Sequence, residues 1–210
     1  MNCLGFDCSG KDVVAGVWKG MVDYYEVCLS GKSGTEYLTQ AIDMCLKKAK
    51  LKIDDIDVIG VCVGPGSWTG SRVAVSTMNG LISGMKNEPK VVSFDVFDLI
   101  SYNEIDSIFG FYMVVPAYGE YVYVKEHNNI VNFGPYFMSK EECFDMIKVY
   151  DNYGLEQVYD DTIVVERKMA EVLSAKVENG EFTYPWDIEP MYLRPSQAEL
   201  QFDLKNKRKS

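Results

Sequence analysis

The order of local signals predicts an α/β protein built as two similar lobes. Three observations carry this: three short strand signals in succession at the N-terminus, an alternation of helix and strand signals after them, and a looser repeat of that order beyond residue 100. No sequence repeat accompanies the repeated order, so the halves resemble each other in element order alone.

Cys3 to Cys8 is an apolar strand signal ending in Asp7-Cys8-Ser9-Gly10, Val13 to Trp18 is β-branched, and Met21 to Leu29 alternates. Ser9-Gly10-Lys11-Asp12 and Lys19-Gly20 supply turn chemistry, so the three strands form an antiparallel meander. A helix is predicted over 34–49. Ser33 and Glu36 stand at capping-box spacing, and Leu38, Ala41, Ile42, Cys45, Leu46 and Ala49 recur at helical intervals. Lys47, Lys48 and Lys50 suit the negative end of its dipole. Val58 to Val63 is long enough for a buried strand and too short for a helix. It runs into Gly64-Pro65-Gly66-Ser67-Trp68-Thr69-Gly70. A helix over 71–85 follows, with Val75, Met78, Ile82 and Met85 on one face, and Lys90 to Phe94 is the next strand.

In the second half the strand signals are Ile108 to Val115, Glu120 to Lys125 and Ile130 to Phe133, and the helical stretches are Lys140 to Val149 and Thr162 to Leu173. This predicts a first lobe over 1–100, a second over 101–195 and a tail over 196–210.

Composition narrows the function. The 210 residues carry a formal net charge of −10, which argues against unaided binding to a phosphate backbone, so any nucleic acid is reached through a partner. No run of apolar residues spans a bilayer and no secretory leader is visible, so the expectation is a cytoplasmic protein without membrane contact. Six scattered cysteines without a CxxC pair read as small buried hydrophobes in a reducing compartment. The single histidine, His127, excludes HExxH zinc chemistry, and its setting in Glu126-His127-Asn128-Asn129 reads as a surface turn. No catalytic residue, metal ligand or cofactor is assigned.

The glycine-rich turn is the strongest chemical signal, because a strand entering such a turn ahead of a helix presents N–H groups to an anion. It is not a Walker A loop, since no Gly-Lys-Ser/Thr follows at the required spacing. Gly64-x-Gly66-x-x-x-Gly70 departs from the dinucleotide fingerprint GxGxxG, and Pro65 and Thr69 around Ser67 exclude a nucleophile elbow. Two readings stay open. Either Gly64 and Gly66 turn the chain while Ser67 or Thr69 caps the helix and Gly70 permits close packing, or Gly66 and Ser67 approach a phosphate with Asp7 beside them.

Ser76, Gly80 and Gly84 lie four residues apart and form a small-residue stripe, which admits a second helix closely. Glycine inside a helix costs about 1 kcal/mol relative to alanine, so a close contact should offset it. That contact is either the first helix of the same chain or a partner subunit.

Taken together, Gly64-Pro65-Gly66-Ser67-Trp68-Thr69-Gly70-Ser71-Arg72 with the helix through Gly80-Leu81 resembles the GPGSFTGxR signature of the bacterial TsaB (YeaZ) family. The first strand ending in Asp7-Cys8-Ser9 is similar to that family's Asp-Thr-Ser, and Pro190-Met191-Tyr192-Leu193-Arg194 resembles its late P-x-YLR element. The resemblance implies a two-lobed actin/Hsp70/sugar-kinase-like fold (ASKHA, ribonuclease H-like), with mixed sheets flanked by helices. It also implies a place in the machinery that forms N6-threonylcarbamoyladenosine at position 37 of tRNAs reading ANN codons. There the TsaB-type subunit is not the enzyme: it pairs with its catalytic paralogue TsaD through first-lobe helices and helps recruit the ATPase TsaE.

On that resemblance the partner surface is expected at Leu38, Ile42, Cys45, Arg72, Ser76, Gly80 and Gly84, with tRNA met only through the complex and a homodimer possible in isolation. The catalytic paralogue needs a pair of histidines, which this chain lacks. Nucleotide binding in the superfamily uses an acidic residue at the end of each lobe's first strand. Asp7 matches the first, but Val114-Val115-Pro116-Ala117-Tyr118-Gly119-Glu120 offers no Asp for the second, so intrinsic ATPase is expected to be weak or absent. The same stretch departs from the family's Asp-Ala-Arg element. The alternative is an independent ATP-dependent enzyme of the sugar-kinase superfamily.

Overall fold

The computed structural model describes residues 1–20, 23–101, 111–127, 134–151, 156–159 and 165–194. The N-terminal meander is β1 (Asn2–Asp7), β2 (Val13–Lys19) and β3 (Asp23–Leu29), followed by α1 (Gly34–Ala49), β4 (Val58–Cys62), α2 (Trp68–Gly84), β5 (Lys90–Phe94) and α3 (Val96–Ser101). The first sheet has the order β3-β2-β1-β4-β5, antiparallel through the meander and parallel from β1 to β4 to β5. Beyond it come β6 (Phe111–Pro116), β7 (Tyr121–His127), β8 (Tyr136–Ser139), α4 (Lys140–Asp151), β9 (Glu156–Tyr159) and α5 (Val165–Glu178). The second sheet, β8-β7-β6-β9, is antiparallel through β6, β7 and β8 and parallel from β6 to β9. Among the described residues it repeats the scheme of the first as far as β4, with no counterpart of β5. Both sheets are mixed and flanked by helices, as the two-lobed actin/Hsp70/sugar-kinase-like fold requires.

Period-2 alternation sorts the first sheet's side chains to its two faces. Leu4 and Phe6 meet Leu38, Ile42 and Cys45 of α1 and Ala74, Met78 and Ile82 of α2. On the other face Cys3, Val14, Val58 and Val92 join Phe97, Met113, Met169 and Leu173, a cluster drawn from both sheets, α3 and α5. A row of glycines crosses this face, because Gly5 pairs in register with Gly16 on one side and Gly60 on the other. A Cβ on Gly5 would lie 2.6 Å from Leu173, and one on Gly60 would lie 2.3 Å from it. The glycines form a trough that seats α5 directly on the backbone of the sheet.

Several local expectations are corrected. Ser33 sits at the N-cap of α1 but makes no capping bond; its hydroxyl pairs with that of Thr35 at 2.5 Å. Helix α2 starts at Trp68 instead of 71, because Ser67 caps it by accepting the Gly70 N–H at 3.1 Å. α3, β8 and β9 carry signals too short for periodicity to register. Asp95 and Asp98 do cap α3 reciprocally, each carboxylate accepting the other residue's backbone N–H at 2.7 and 2.9 Å. His127 is the last residue of β7, paired with Phe111, and not in a turn. The strand expected over 130–133 and the tail over 196–210 lie outside the described residues.

Candidate functional site

Strand β1 ends at Asp7, and the chain turns through Cys8 and Ser9 directly against the glycine-rich turn that follows β4. The Ser67 N–H donates to the Ser9 carbonyl at 2.6 Å, and the Cys8 thiol donates to the Gly70 carbonyl at 3.2 Å. A Cβ on Gly66 would lie 2.4 Å from the Ser9 oxygen, and one on Gly70 would lie 2.0 Å from the Cys8 oxygen. These glycines therefore accommodate the chain's own backbone. The cradle that a phosphate would need is filled at Ser67 by a carbonyl, and the Gly70 N–H is taken by the Ser67 hydroxyl. The structure does bring Asp7, Gly66 and Ser67 together, as the nucleotide reading requires, but it closes the loop on itself.

Asp7 is 3% exposed, and its Oδ1 accepts the Ser9 N–H at 2.8 Å. Burial pushes its carboxyl above the usual range, with the Ser9 bonds opposing the shift only in part. Burial, then the Asp7 charge, pushes the Cys8 thiol up to about 12 and the Cys62 thiol well above its ordinary value. Neither thiol is poised as a nucleophile at neutral pH. At the end of β6 the matching turn carries Tyr118, 70% exposed, and Glu120, which pairs with Lys140 at 3.7 Å. Among the described residues no group of three His, Cys, Asp or Glu side chains is arranged to hold a metal ion.

The expected partner-surface residues divide sharply. Leu38, Ile42 and Cys45 are buried at 1%, 3% and 0%, with the Cys45 thiol on the Tyr25 carbonyl at 2.9 Å. They hold α1 on its own sheet and have no surface to present, which corrects their assignment. Arg72, Ser76, Gly80 and Gly84 are all exposed, and four-residue spacing aligns them on one face of α2. A Cβ added to Gly80 or Gly84 would meet nothing within 4 Å. Packing among the described residues therefore does not account for these two glycines.

Arg72 heads that stripe and is held by residues that sequence order keeps far apart. Its Nε donates to the Tyr192 hydroxyl at 2.8 Å, and its guanidinium lies 4.9 Å from the Trp68 ring centroid and 5.3 Å from that of Tyr192. Trp68 and Tyr192 stack on each other at 4.1 Å. The Met191 N–H, donating to the Val63 carbonyl at 2.8 Å, fixes the segment beneath. The late Tyr192 thus completes a clasp on the signature turn. Both motifs stand out in the sequence, but nothing local to either signals that they touch.

Three comparisons bear on this arrangement. The family described as "TsaD: tRNA N6-adenosine threonylcarbamoyltransferase" matches residues 29–94, which run from the end of β3 through the glycine-rich turn and α2 to β5. A "tRNA threonylcarbamoyladenosine biosynthesis protein TsaB" from Buchnera aphidicola subsp. Baizongia pistaciae (strain Bp) is 37% identical over 59 residues, 28% of this chain. That match spans about a quarter of the relative's own length, 26%. Two structures from Pseudomonas aeruginosa share the fold nearly end to end. One, titled as an uncharacterized protein with similarity to peptidase YEAZ, superposes with a TM-score of 0.71 at 15% identity, covering 92% of this chain and 99% of that one. The other, titled YeaZ, has a TM-score of 0.71 at 14% identity, covering 91% and 99%.

Proposed function

We propose that this chain is a TsaB/YeaZ-type protein and acts as a non-catalytic scaffold subunit in forming N6-threonylcarbamoyladenosine at position 37 of tRNAs reading ANN codons. On this reading it binds a TsaD-type catalytic paralogue and helps recruit a TsaE-type ATPase. The observation that carries the proposal is the exposed stripe of Ser76, Gly80 and Gly84 beside Arg72. Two helical glycines cost about 2 kcal/mol relative to alanine with no contact among the described residues to offset them, and the close approach of a partner helix supplies one.

A non-catalytic role is supported by the closed glycine turn and by the burial of Asp7, whose Oδ1 is already taken by the Ser9 N–H. The net charge of −10 supports contact with tRNA through the complex only. The two lobes are taken as 1–100 and 101–195 with a tail over 196–210, the second lobe lending α5 to the first sheet. Among the described residues no helix is long and apolar enough to cross a membrane, and six cysteines with no disulfide among them fit a reducing cytoplasm. In isolation the same stripe offers a face for a homodimer.

Gly80→Leu tests the proposal. The bulk lies in open space in the isolated chain, so folding should survive while co-purification with the catalytic paralogue is lost. Unchanged complex formation overturns the placement. Titration of the isolated chain with ATP tests the rest, because micromolar binding with steady turnover would assign an independent kinase-type enzyme instead.

A further inference from the structure

The segment after α5 returns over the first sheet and is pinned at both ends. The Thr183 N–H donates to the Val91 carbonyl on the β5 edge at 2.9 Å, and the Met191 N–H donates to Val63 at 2.8 Å. Between these pins Pro185 and Ile188 are buried, with a 3₁₀ turn over Pro185–Asp187. The side chains left outside are Tyr184, 59% exposed, Trp186, 52% exposed, and the exposed carboxylates Asp187 and Glu189. Their backbone is already ordered, so binding there pays no loop-ordering cost.

The rings at both ends of this segment already carry cations. Lys90 Nζ lies 4.3 Å from the Phe182 centroid, and Arg72 lies 5.3 Å from that of Tyr192. The middle lacks one: among the described residues no cation faces Tyr184 or Trp186, and neither Asp187 nor Glu189 has an ion-pair partner. Two exposed rings interleaved with two carboxylates suit a lysine- or arginine-rich segment, through ring-face attraction and charge together.

The chain carries such a segment. Lys205, Lys207, Arg208 and Lys209 put four positive side chains and no negative one into the last six residues of a chain whose formal net charge is −10. The described residues end at Arg194, two positions after Tyr192. The chain from Arg194 to Lys205 can span about 36 Å when extended, more than the separation of at most about 33 Å between Arg194 and Tyr184. Tethering at that distance gives an effective concentration of about a millimolar.

We propose that the acidic aromatic strip at Tyr184, Trp186, Asp187 and Glu189 is a docking site for this chain's own basic C-terminal stretch, Lys205–Lys209. The proposal does not depend on the scaffold reading above. Its test follows the Trp186 indole N–H by NMR in the full chain, assigned with Trp186→Phe. The comparison is with the full chain carrying Lys205→Gln, Lys207→Gln, Arg208→Gln and Lys209→Gln. At low salt the Trp186 signal should differ between the two, and about 0.5 M salt should move the parent signal onto that of the variant. Glu189→Lys should abolish the difference. An identical Trp186 signal in parent and variant overturns the proposal. A salt-dependent shift that survives the four substitutions also overturns it, because the cation would then come from a second copy or another protein.

Discussion

One substitution made at two places in the same helix should have opposite signs. Gly80→Ala places a methyl group where nothing lies within 4 Å, so only helix propensity acts. The expected gain is about 0.8–1 kcal/mol, worth roughly 2–4 °C in Tm for a chain of this size. Gly70→Ala places the same methyl 2.0 Å from the Cys8 carbonyl oxygen, a backbone atom with no rotamer to yield. The turn must move away from the end of β1, straining the Ser67 N–H bond to Ser9 at 2.6 Å and the Cys8 thiol bond to Gly70 at 3.2 Å. Two weakened hydrogen bonds at about 1 kcal/mol each, with overpacking of about 1–3 kcal/mol, outweigh the propensity gain. The net loss is about 2–4 kcal/mol. Urea unfolding of both variants, with the m-value checked for constancy, measures the difference. A neutral or stabilising Gly70→Ala would refute the account of why the signature glycines are there. A destabilising Gly80→Ala would show that the stripe is packed within the chain after all.

Three further outcomes are expected. Burial raises the Asp7 pKa, so the folded state holds the proton more tightly than the unfolded one, and stability is lost as pH rises from the unfolded carboxylate value toward the folded one. Asp7→Asn keeps an acceptor for the Ser9 N–H and should be more stable than the parent at pH 7, the difference closing below about pH 4 in paired melting curves. Arg72→Lys should cost about 1 kcal/mol in chemical unfolding, because an ammonium cannot both bond the Tyr192 hydroxyl and lie over two rings; Tyr192→Phe should lose only the hydrogen-bond part. Lys125→Met removes the cation 3.3 Å from Asp95, whose side chain is 12% exposed, and should cost about 1–3 kcal/mol at pH 7. Burial and then Asp98 raise the Asp95 pKa, which Lys125 holds down, so that deficit should shrink in melts at acid pH as the carboxyl takes up a proton.

Elements governed by neighbours a few residues away are legible in the sequence. The helix predicted over 34–49 and the strand predicted over 90–94 fall on the observed bounds of α1 and β5, and the first meander needs only small changes. The turn residues and the apolar periodicity that specify them are local. For the cap of α2 the sequence offers both Ser67 and Thr69, and hydroxyl geometry chooses Ser67. α3 and β9 escape because six and four residues are too few to display a period. Leu38, Ile42 and Cys45 defeat a sequence reading for a different reason. An apolar helical face announces that it will be covered, and their positions in α1 hold nothing that says by whom.

The sequence by itself determined the α/β order, the repeat of that order in two halves, and a signature turn that resembles the one in the TsaB (YeaZ) family. It also excluded histidine-pair chemistry through the lone His127. Only the tertiary structure decided that the glycine turn grips the end of β1, across 62 residues between Cys8 and Gly70. It alone joined Arg72 to Tyr192 across 120 residues and left Gly80 and Gly84 facing outward. The division has one physical cause. Propensity and periodicity act within a turn or two of chain, whereas contact partners are chosen by which faces the sheet and its helices bury together.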